Sequence, residues 1–474
     1  MSESDILDFS KSLNPLGNPF DHAQSNLEIG EVFDQVGSKL EQYPDNRYTE
    51  LKAAAALFLD NGTKPENIIP GNGSCELLRL IMECLLYEGD EVIIPVPCPL
   101  EYVRICESFG AKIQRLWTEE LFKLSTTALE NAKAVFFSNP NNPTGKLTSR
   151  SDLLELISKC AEHQTLLIVD ESFIELCDDP TQTITDFAIN NDHLFVIRSV
   201  TNTFSIPGVR FSYGITSPAM SYVLNSARLS WNIGAVTEQI AVSVLGMDGG
   251  VNSRYLQDSR RSIRDEREYL MTQLSFLYGF KPIESNANYV LVDMNEHFMD
   301  SSKFYEGFAA HGIFIRDCRD FFEGDDRYIR LSIRPREEFD VFLHNIDEVY
   351  AQFSKEEARE KLEETIEHGG ADSASSRENC DYYPCHFHGQ DCTFCFCPFY
   401  PCDDERTGGK LIDSAAGGKV WSCEFCNLLH QAHNAKKVLE ALMNEGDTDE
   451  NVKKAWKIVI EPYLEDDSGS ECID

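Results

Sequence analysis

Between about residue 45 and residue 275, short apolar runs alternate with segments that have the composition of helices. Four of these runs occupy residues 91–95, 134–138, 166–170 and 194–197, and they are rich in β-branched and aromatic side chains. Such runs are typical of strands buried on both faces, and the distances between them leave room for crossover helices. The alternation predicts an α/β fold on a mostly parallel sheet, with functional side chains at the carboxyl ends of its strands.

Polar loops follow several of these predicted strands. Residues 71–77 combine small side chains with a hydroxyl where a helix begins, and the free N–H groups and dipole of a helix N-terminus can bind phosphate. Residues 139–145 contain two prolines and predict a rigid turn. Asp170 ends a strand, where its carboxylate could pair with a pyridinium nitrogen or simply cap the next helix, and Arg210 could contact phosphate.

In this order, the four elements resemble the fold-type-I pyridoxal phosphate (PLP) enzymes, above all the branch of histidinol-phosphate aminotransferases and threonine-phosphate decarboxylases. Residues 8–17 are similar to the N-terminus of the decarboxylases, and residues 43–45, 312–318 and 328–334 are similar to the same branch. The resemblance covers residues 5–350. It implies an N-terminal arm (1–30), a large domain that contains the parallel sheet (31–275) and a small α/β domain (276–352).

The resemblance also implies which residues bind the cofactor. The PLP phosphate would be held by small or hydroxyl-bearing residues and one cation: Gly73, Ser74, Cys75, Ser199 and Arg210. Asn142 would hydrogen-bond the ring hydroxyl, and Asp170 would keep the ring nitrogen protonated. Tyr43 would reach the cofactor phosphate of a neighbouring subunit, which implies a homodimer.

Three arginines are implied to bind the substrate. Arg330 would hold its carboxylate in a bidentate contact, and Arg334 and Arg316 would hold its phosphate. Because Arg330 and Arg334 alternate along a predicted strand, they could instead form a solvated, salt-bridged face. The implied reaction is decarboxylation of O-phospho-threonine in cobalamin synthesis, and the alternative is a transamination of the histidinol-phosphate type.

Residues 199–210 depart from the family at the position that matters most for its chemistry. The family pattern is Ser/Thr-x-Ser/Thr-Lys-x-Phe/Tyr-x-x-x-Gly-x-Arg, and Asn202 stands at the lysine position. An amide nitrogen can neither condense with an aldehyde nor transfer protons as an amine does. No lysine occurs between Lys159 and Lys281 to replace it. In addition, Pro99 stands where the family places an aromatic ring over the pyridine.

Three interpretations follow from these departures. PLP could bind without a covalent link and support only slow turnover. Alternatively, the protein could be non-catalytic and regulatory, either with a pocket that senses a phosphorylated amino acid or another small anion, or as a metal- or redox-responsive partner of a true decarboxylase. Finally, the fold could be a dimerising scaffold. Because Asp170, Asn142 and Arg210 are all kept, the first two interpretations are favoured over the scaffold.

The composition changes after residue 352. Residues 353–378 begin with a charged, helix-like run and then become rich in serine and alanine, which predicts a linker. Residues 379–435 contain eight of the sixteen cysteines and four histidines. These residues are the candidate metal ligands: Cys380, Cys385, Cys392, Cys395, Cys397, Cys402, Cys423, Cys426, His386, His388, His430 and His433. Residues 436–474 are predicted to form a helical, acidic tail.

Two Cys-x-x-Cys pairs, at 392–395 and 423–426, can complete one tetrahedral zinc site, and the other cysteines and the histidines could build a second. An iron–sulfur cluster is an alternative that spacing does not exclude, as are reduced core thiols and disulfides. The segment resembles a cysteine-rich small domain found in archaeal proteins, sometimes fused to decarboxylases of the cobalamin pathway. That resemblance implies metal binding.

The net charge of −37, from 79 acidic and 42 basic residues, argues against nucleic acid or an anionic membrane as a partner. The acidity is explained either by solubility or by a salt-rich cytoplasm. Residues 1–30 show no basic region followed by an apolar run, and no apolar stretch is long enough to span a bilayer. We therefore expect a cytoplasmic protein.

Overall fold

The computed structural model describes residues 6–22, 25–124, 126–277, 279–297, 299–367, 385–394, 397–413, 419–444 and 447–465. The strands of two or more residues in chain order are β1 (Leu7–Asp8), β2 (Ile68–Gly71), β3 (Glu91–Val96), β4 (Lys112–Trp117), β5 (Ala132–Ser138), β6 (Leu166–Asp170), β7 (Leu194–Ser199), β8 (Ser212–Ile215), β9 (Lys281–Pro282), β10 (Tyr289–Asp293), β11 (Ile313–Phe314), β12 (Arg316–Asp317), β13 (Tyr328–Ser332), β14 (Lys410–Asp413) and β15 (Lys419–Ser422).

The α-helices are α1 (Ile29–Lys39), α2 (Thr49–Leu59), α3 (Ser74–Leu85), α4 (Leu100–Ser108), α5 (Thr118–Leu121), α6 (Thr126–Asn131), α7 (Arg150–Glu162), α8 (Thr185–Ala188), α9 (Val200–Thr203), α10 (Pro218–Ala227), α11 (Ala235–Leu245), α12 (Arg254–Ser275), α13 (Ser301–Ala310), α14 (Arg336–Glu367), α15 (Ala432–Leu442), α16 (Thr448–Ala455) and α17 (Glu461–Glu465). A π-helical turn, Trp456–Ile460, joins the last two. Among the described helices, none is long and apolar enough to cross a membrane.

A seven-stranded sheet in the order β2-β8-β7-β6-β5-β3-β4 forms the centre of the first unit. Strands β4, β3, β5, β6 and β7 pair in parallel, and β8 is antiparallel to both of its neighbours. Every residue of β7 is buried, as expected for a strand covered on both faces. The α/β fold with a mostly parallel sheet is therefore confirmed.

The parallel strands end together at one edge of the sheet. In the strand register, Ser138 at the end of β5 lies beside Asp170 at the end of β6. Ser199 at the end of β7 lies beside Ser212 of β8. The polar residues that follow apolar runs in the sequence are thus brought to one edge.

A smaller, four-stranded antiparallel sheet has the order β12-β13-β10-β9. Residues of the N-terminal arm add the strand β1, which pairs in parallel with β11. The buried ring of Phe9 stacks on Phe339, with 5.5 Å between ring centroids. The N-terminal arm is therefore part of the packed first unit.

The chain divides into two compact units, residues 1–339 and 340–474. The predicted linker, 353–378, begins inside the continuous helix α14, and residues 368–378 lie outside the described residues. The second unit contains the antiparallel hairpin β14–β15 and the helices α15 to α17. Its apolar core includes Phe394, Leu429, Val438 and Leu442.

Candidate functional site

The N-terminus of α3 and the side chain of Arg210 form the predicted phosphate site. Gly73 immediately precedes α3 with a φ of +83°, and a Cβ built there would lie 2.7 Å from Nη2 of Arg210. Glycine therefore allows the guanidinium to approach the helix N-terminus. Ser74 and Cys75 form the first turn of α3, and Cys75 is exposed. Free N–H groups and a cation converge here, which is the chemistry that a phosphate group requires.

Ser199 and Asn202 lie in the turn that follows β7. The Oγ of Ser199 accepts a hydrogen bond from the N–H of Thr201 at 3.2 Å and one from the Oγ of Ser212 at 3.1 Å. Asn202 is half-buried in the short helix α9, and its carbonyl accepts the N–H of Asn14 at 3.0 Å. The segment thus keeps the fold of a strand followed by a tight helical turn and lacks the amine.

Asp170 is held by two neighbours at the end of β6. Its Oδ2 accepts a hydrogen bond from Oη of Tyr102 at 2.8 Å, and its Oδ1 accepts the N–H of Ser172 at 2.9 Å. Burial, followed by the charge of Asp170, raises the pKa of Tyr102 well above its ordinary value. Tyr102 therefore remains a protonated donor to the carboxylate.

Asp170 and part of the predicted phosphate site lie at one edge of the sheet. Asp170 ends β6, and Ser199 ends the adjacent parallel strand β7. Although Cys75 is largely exposed, partial burial of its sulfur raises the pKa of the thiol, the charges of Glu101 and Asp170 raise it further, and the charge of Arg210 lowers it. The predicted ligands of a phosphate and of a ring nitrogen are thus gathered in one region.

Arg330 is a buried cation for which the described residues supply no ion-pair partner. Its Nη1 donates to Oδ1 of Asn142 at 2.5 Å, and its Nη2 donates to the carbonyl of Ser10 at 2.9 Å. The guanidinium lies over the ring of Tyr289 at 5.1 Å, and its Nε is buried without a hydrogen-bond partner. Burial lowers the pKa of Arg330. A carboxylate would supply both the missing charge and the missing acceptor.

The other two predicted substrate arginines have carboxylate partners of their own. Arg316 contacts Asp320 at 2.5 Å, and Arg334 contacts Glu338 at 2.8 and 3.1 Å. A substrate phosphate would have to compete with these ion pairs. The structure therefore distinguishes Arg330, which lacks such a pair, from the two arginines that were expected to act beside it.

Pro99 precedes α4, and the ring of Tyr102 one turn later packs on Phe136 at 5.4 Å between ring centroids. Tyr43 is 80% exposed and packs against Trp231, with 4.6 Å between ring centroids. The phosphate and ring-nitrogen parts of a PLP site therefore fit the residues present. The part that would bind the aldehyde covalently does not, because position 202 carries an amide.

Several contacts at the site were not expected from the sequence. The carbonyl of Ser10 and the ring of Tyr289 both position Arg330, and neither a backbone carbonyl nor a ring on a distant strand has a signal in local patterns. Arg198 does have a signal, because a charged residue inside the apolar run of β7 must be paired to be buried. Its partners are Glu171, at 2.9 Å, and Glu175.

The described cysteines of the second unit fall into two groups. The four-cysteine group consists of Cys397, Cys402, Cys423 and Cys426. Burial raises the pKa of Cys397 well above its usual value, and the charges of the other three thiols raise it further. The sulfur of Cys402 lies 3.5 Å from Oγ1 of Thr407.

The second group, called the Gln390 group, consists of Gln390, Cys385 and Cys392. Nε2 of Gln390 lies 2.9 Å from the sulfur of Cys385 and 3.4 Å from that of Cys392. His386 is next to it, with its ring 4.0 Å from that of His430. Cys392 therefore lies with Cys385, whereas spacing had paired it with the turn at 423–426.

The remaining candidate ligands of the second unit are either exposed or outside the described residues. His388 and His433 are exposed. Cys380 and Cys395 lie outside the described residues. Among the residues that the structure describes, no three Cys, His, Asp or Glu side chains already surround a point at which a metal ion could bind.

Comparison with known proteins identifies the family. Residues 4–346 match the class I and II aminotransferases, and residues 372–453 match the family described as a cysteine-rich small domain. The chain belongs to the class I and II aminotransferase family, and it carries a C-terminal cysteine-rich small domain.

Relatives from both branches are similar to this chain. A protein of Caldanaerobacter subterraneus subsp. tengcongensis, assigned as a threonine-phosphate decarboxylase, is 30% identical over 69% of this chain and 86% of its own. The histidinol-phosphate aminotransferase of Thermoanaerobacter pseudethanolicus is 29% identical over 66% of this chain and 85% of its own. The solved histidinol-phosphate aminotransferase of Clostridium acetobutylicum has a TM-score of 0.64 and 26% identity, and the match covers 73% of this chain and 99% of its own.

Proposed function

We propose that the first unit binds PLP without a covalent link and, beside it, a phosphorylated amino acid of the kind used by the decarboxylase branch. One observation carries this proposal: Arg330 is buried, has no carboxylate partner in the described part of the chain, and has an unpaired Nε. A buried cation of this kind is costly unless an anion joins it. Asn142 already orients the guanidinium, as a carboxylate-binding pair requires.

Different residues of the site would bind different parts of the cofactor and of the amino acid. The α3 N-terminus and Arg210 would hold the cofactor phosphate, Asp170 would accept a hydrogen bond from the ring nitrogen, and Arg330 would bind the amino acid carboxylate. When bound, PLP supplies an aldehyde and an electron-accepting ring. Because Asn202 can neither give nor take a proton at neutral pH, we propose that decarboxylation is slow or absent and that binding is the main activity.

The proposal is tested by titrating the protein with PLP and following the absorption of the cofactor. The wild type is expected to bind PLP saturably with the spectrum of the free aldehyde. Asn202→Lys is expected to gain the shifted absorption of a covalent adduct that borohydride reduces onto position 202. The exposed Asn252→Lys is the matched control and should behave as the wild type. Absence of saturable binding in all three proteins would refute the cofactor part of the proposal.

The amino acid is tested separately by thermal unfolding with PLP present. O-phospho-threonine is expected to raise the unfolding temperature, and threonine is expected to do so less. Arg330→Met should remove the effect of both ligands, because both present the same carboxylate. An equal effect of O-phospho-threonine on wild type and Arg330→Met would show that this arginine does not bind the ligand.

The second unit is proposed to bind a metal through its thiols, with zinc favoured and an iron–sulfur cluster as the alternative. The support is that Cys397, Cys402 and Cys426 pack against one apolar cluster, and that Gly408 brings the backbone after Cys402 into contact with Cys426. Metal and acid-labile sulfide measured on the purified full-length chain separate the two cases. A role in cobalamin synthesis and a cytoplasmic location stay predictions.

A further inference from the structure

We infer that a single tetrahedral divalent ion such as zinc binds to the four-cysteine group, and that Cys392 is not among its ligands. The inference rests on the proposed metal binding of the second unit and specifies which thiols bind. It differs from the arrangement expected from spacing, in which the pairs at 392–395 and 423–426 share one ion.

Two tight turns contain three members of the four-cysteine group, Cys402 follows the first turn, and the hairpin β14–β15 lies between the turns in the chain. In the first turn, the N–H of Tyr400 donates to the carbonyl of Cys397 at 3.1 Å. In the second, the N–H of Cys426 donates to the carbonyl of Cys423 at 2.9 Å. Because β15 ends at Ser422 opposite Lys410, the second turn begins at the open end of the hairpin, beside the start of β14. A turn, a hairpin and a second turn is an arrangement that can place two pairs of thiolates around one ion.

Residues just before β14 touch the second turn. Gly408 has a φ of +92°, and a Cβ built there would lie 2.6 Å from the carbonyl oxygen of Phe425 and 3.2 Å from the Cα of Cys426. Only glycine permits so close an approach of the two backbones. The segment that follows Cys402 is therefore packed directly against the turn that carries Cys426.

Thr407 lies beside Cys402 and next to Gly408. Its buried hydroxyl lies 3.5 Å from the sulfur of Cys402 and donates to the carbonyl of Asp404 at 2.8 Å. Hydroxyl and amide groups that contact ligand sulfurs are the usual outer neighbours of a metal ion. Cys397, Cys402 and Cys426 also pack against one apolar cluster of the second unit. These three thiols thus share an apolar environment.

The sulfur of Cys392 has a polar neighbour of its own, although His386 in the same loop lies 3.4 Å from the carbonyl of Cys423. The sulfur of Cys392 faces the side-chain amide of Gln390, which also reaches Cys385. The Oε1 of Gln390 accepts the N–H groups of His386 at 2.9 Å and Phe387 at 3.1 Å. Gln390 is buried, so these contacts hold Cys392 in the loop of residues 385–392.

A divalent ion would compensate the charge of the four-cysteine group. Several thiolates buried together are unstable without a cation, and zinc favours a tetrahedral set of sulfurs. Because no three ligands of the described chain yet surround one point, binding would draw the sulfurs together by side-chain rotation. The resulting coordination by thiolates can be detected with a metal ion that absorbs visible light.

The test uses the full-length protein loaded with cobalt(II), whose visible absorption reports tetrahedral geometry and the number of thiolate ligands. Bound metal is counted by mass spectrometry on the same samples. Cys426→His keeps a ligand at that position, so it should retain one equivalent of metal and shift the cobalt bands. Cys426→Ser should lose that equivalent. Cys392→His and Cys392→Ser should leave the four-thiolate bands unchanged, as should the control Cys84→Ser in the first unit.

The outcomes distinguish a wrong set of ligands from a failure of the proposed metal binding itself. If Cys392→Ser removes the same bands as Cys426→Ser, the grouping is wrong and metal binding stands. If the wild type binds neither cobalt nor zinc, metal binding and the grouping both fail. If the purified protein contains iron with acid-labile sulfide at these thiols, the single-ion site is overturned.

Discussion

Gly73 is the position at which one added methyl group would most disturb the proposed cofactor site. Its φ of +83° and the closeness of Arg210 both exclude a Cβ. We expect Gly73→Ala to cost about 1–2 kcal/mol of stability, from the strained backbone, and to weaken PLP binding roughly tenfold, because a displacement of the guanidinium worth about 1.4 kcal/mol would have that effect.

The measurement for Gly73 is urea unfolding together with the PLP titration. Gly37→Ala is the control, because Gly37 lies in α1 with open space around it and an ordinary helical φ. There alanine should slightly stabilise the protein and leave PLP binding unchanged. An unchanged PLP affinity in Gly73→Ala would place the phosphate elsewhere.

His297 provides a prediction for pH dependence. Its ring packs on those of Phe280 and Phe304, at 5.0 and 5.6 Å between centroids, and burial lowers its pKa from 6.5 to about 4. Between these pH values the unfolded chain binds the proton and the folded chain does not. The free energy of unfolding must therefore decrease as the pH falls from 6.5 towards 4.

Replacing this histidine by phenylalanine removes the titration and keeps a ring. His297→Phe also loses the hydrogen bond from the N–H of Met299, 3.0 Å long, which lowers stability at every pH. We expect the decrease between pH 7 and pH 4 to become smaller by about 2 kcal/mol. Urea unfolding at both pH values measures it, with the exposed His344→Phe as control. An equal decrease in the free energy of unfolding of wild type and His297→Phe would show that His297 does not cause the pH dependence.

Arg198 connects three elements at the carboxyl edge of the sheet. It lies on β7, and its guanidinium is paired with Glu171, which follows β6, and with Glu175. Glu175 in turn accepts the hydroxyl of Thr203 in α9 at 3.3 Å. One buried ion cluster thus holds the segments that carry Asp170 and Asn202.

Arg198→Met should leave two carboxylates buried without a cation, and we expect a loss of about 3–5 kcal/mol in the free energy of unfolding. Adding Glu171→Gln and Glu175→Gln to this variant should recover part of the loss, because no buried charge then remains. The control is Arg254→Met, where an exposed pair with Asp258 is removed and a change below about 1 kcal/mol is expected. Comparable losses in both variants, measured by urea unfolding, would contradict this account.

Exposed aromatic and apolar side chains on the first unit predict an assembly of two chains. Tyr43 and Trp231 pack together and are 80% and 47% exposed, and Leu229 is 75% exposed. Exposed apolar groups that lie together are typical of interaction surfaces. Combined with the family resemblance, they predict a homodimer in which Tyr43 approaches the partner's cofactor site.

Trp231→Glu is expected to convert that dimer to a monomer and to weaken PLP binding, because the contribution of Tyr43 across the interface is lost. Light scattering coupled to size-exclusion chromatography measures the mass, and Tyr87→Glu, at a position 77% exposed, is the control. A wild type that is monomeric at micromolar concentration, or a dimer that tolerates Trp231→Glu, would refute the prediction.

Much of the fold could be predicted because its signals are local. The apolar runs at 91–95, 134–138, 166–170 and 194–197 became β3, β5, β6 and β7, since buried parallel strands require continuous apolar residues. The antiparallel strand β8 between β2 and β7 had no such signal, because strand order depends on pairing between distant segments. The helix-like run at the start of the predicted linker did have a local signal, and its residues continue α14.

The chemistry of individual side chains could be predicted from the sequence alone. An asparagine at position 202 lacks an amine in any structure, and Asp170 at the end of a predicted strand presents a carboxylate at the sheet edge. The surroundings of Arg330 depended on the tertiary structure, because this arginine donates to the carbonyl of Ser10, 320 residues away. The pair of Arg334 with Glu338, by contrast, is local, because the two residues are four positions apart. Likewise, spacing suggested pairs of cysteines by sequence distance, whereas only the tertiary structure brought Cys385 and Cys392 together at the amide of Gln390. The physical reason is that residue type and period are properties of the local chain, and partners are contributed by segments that only folding brings together.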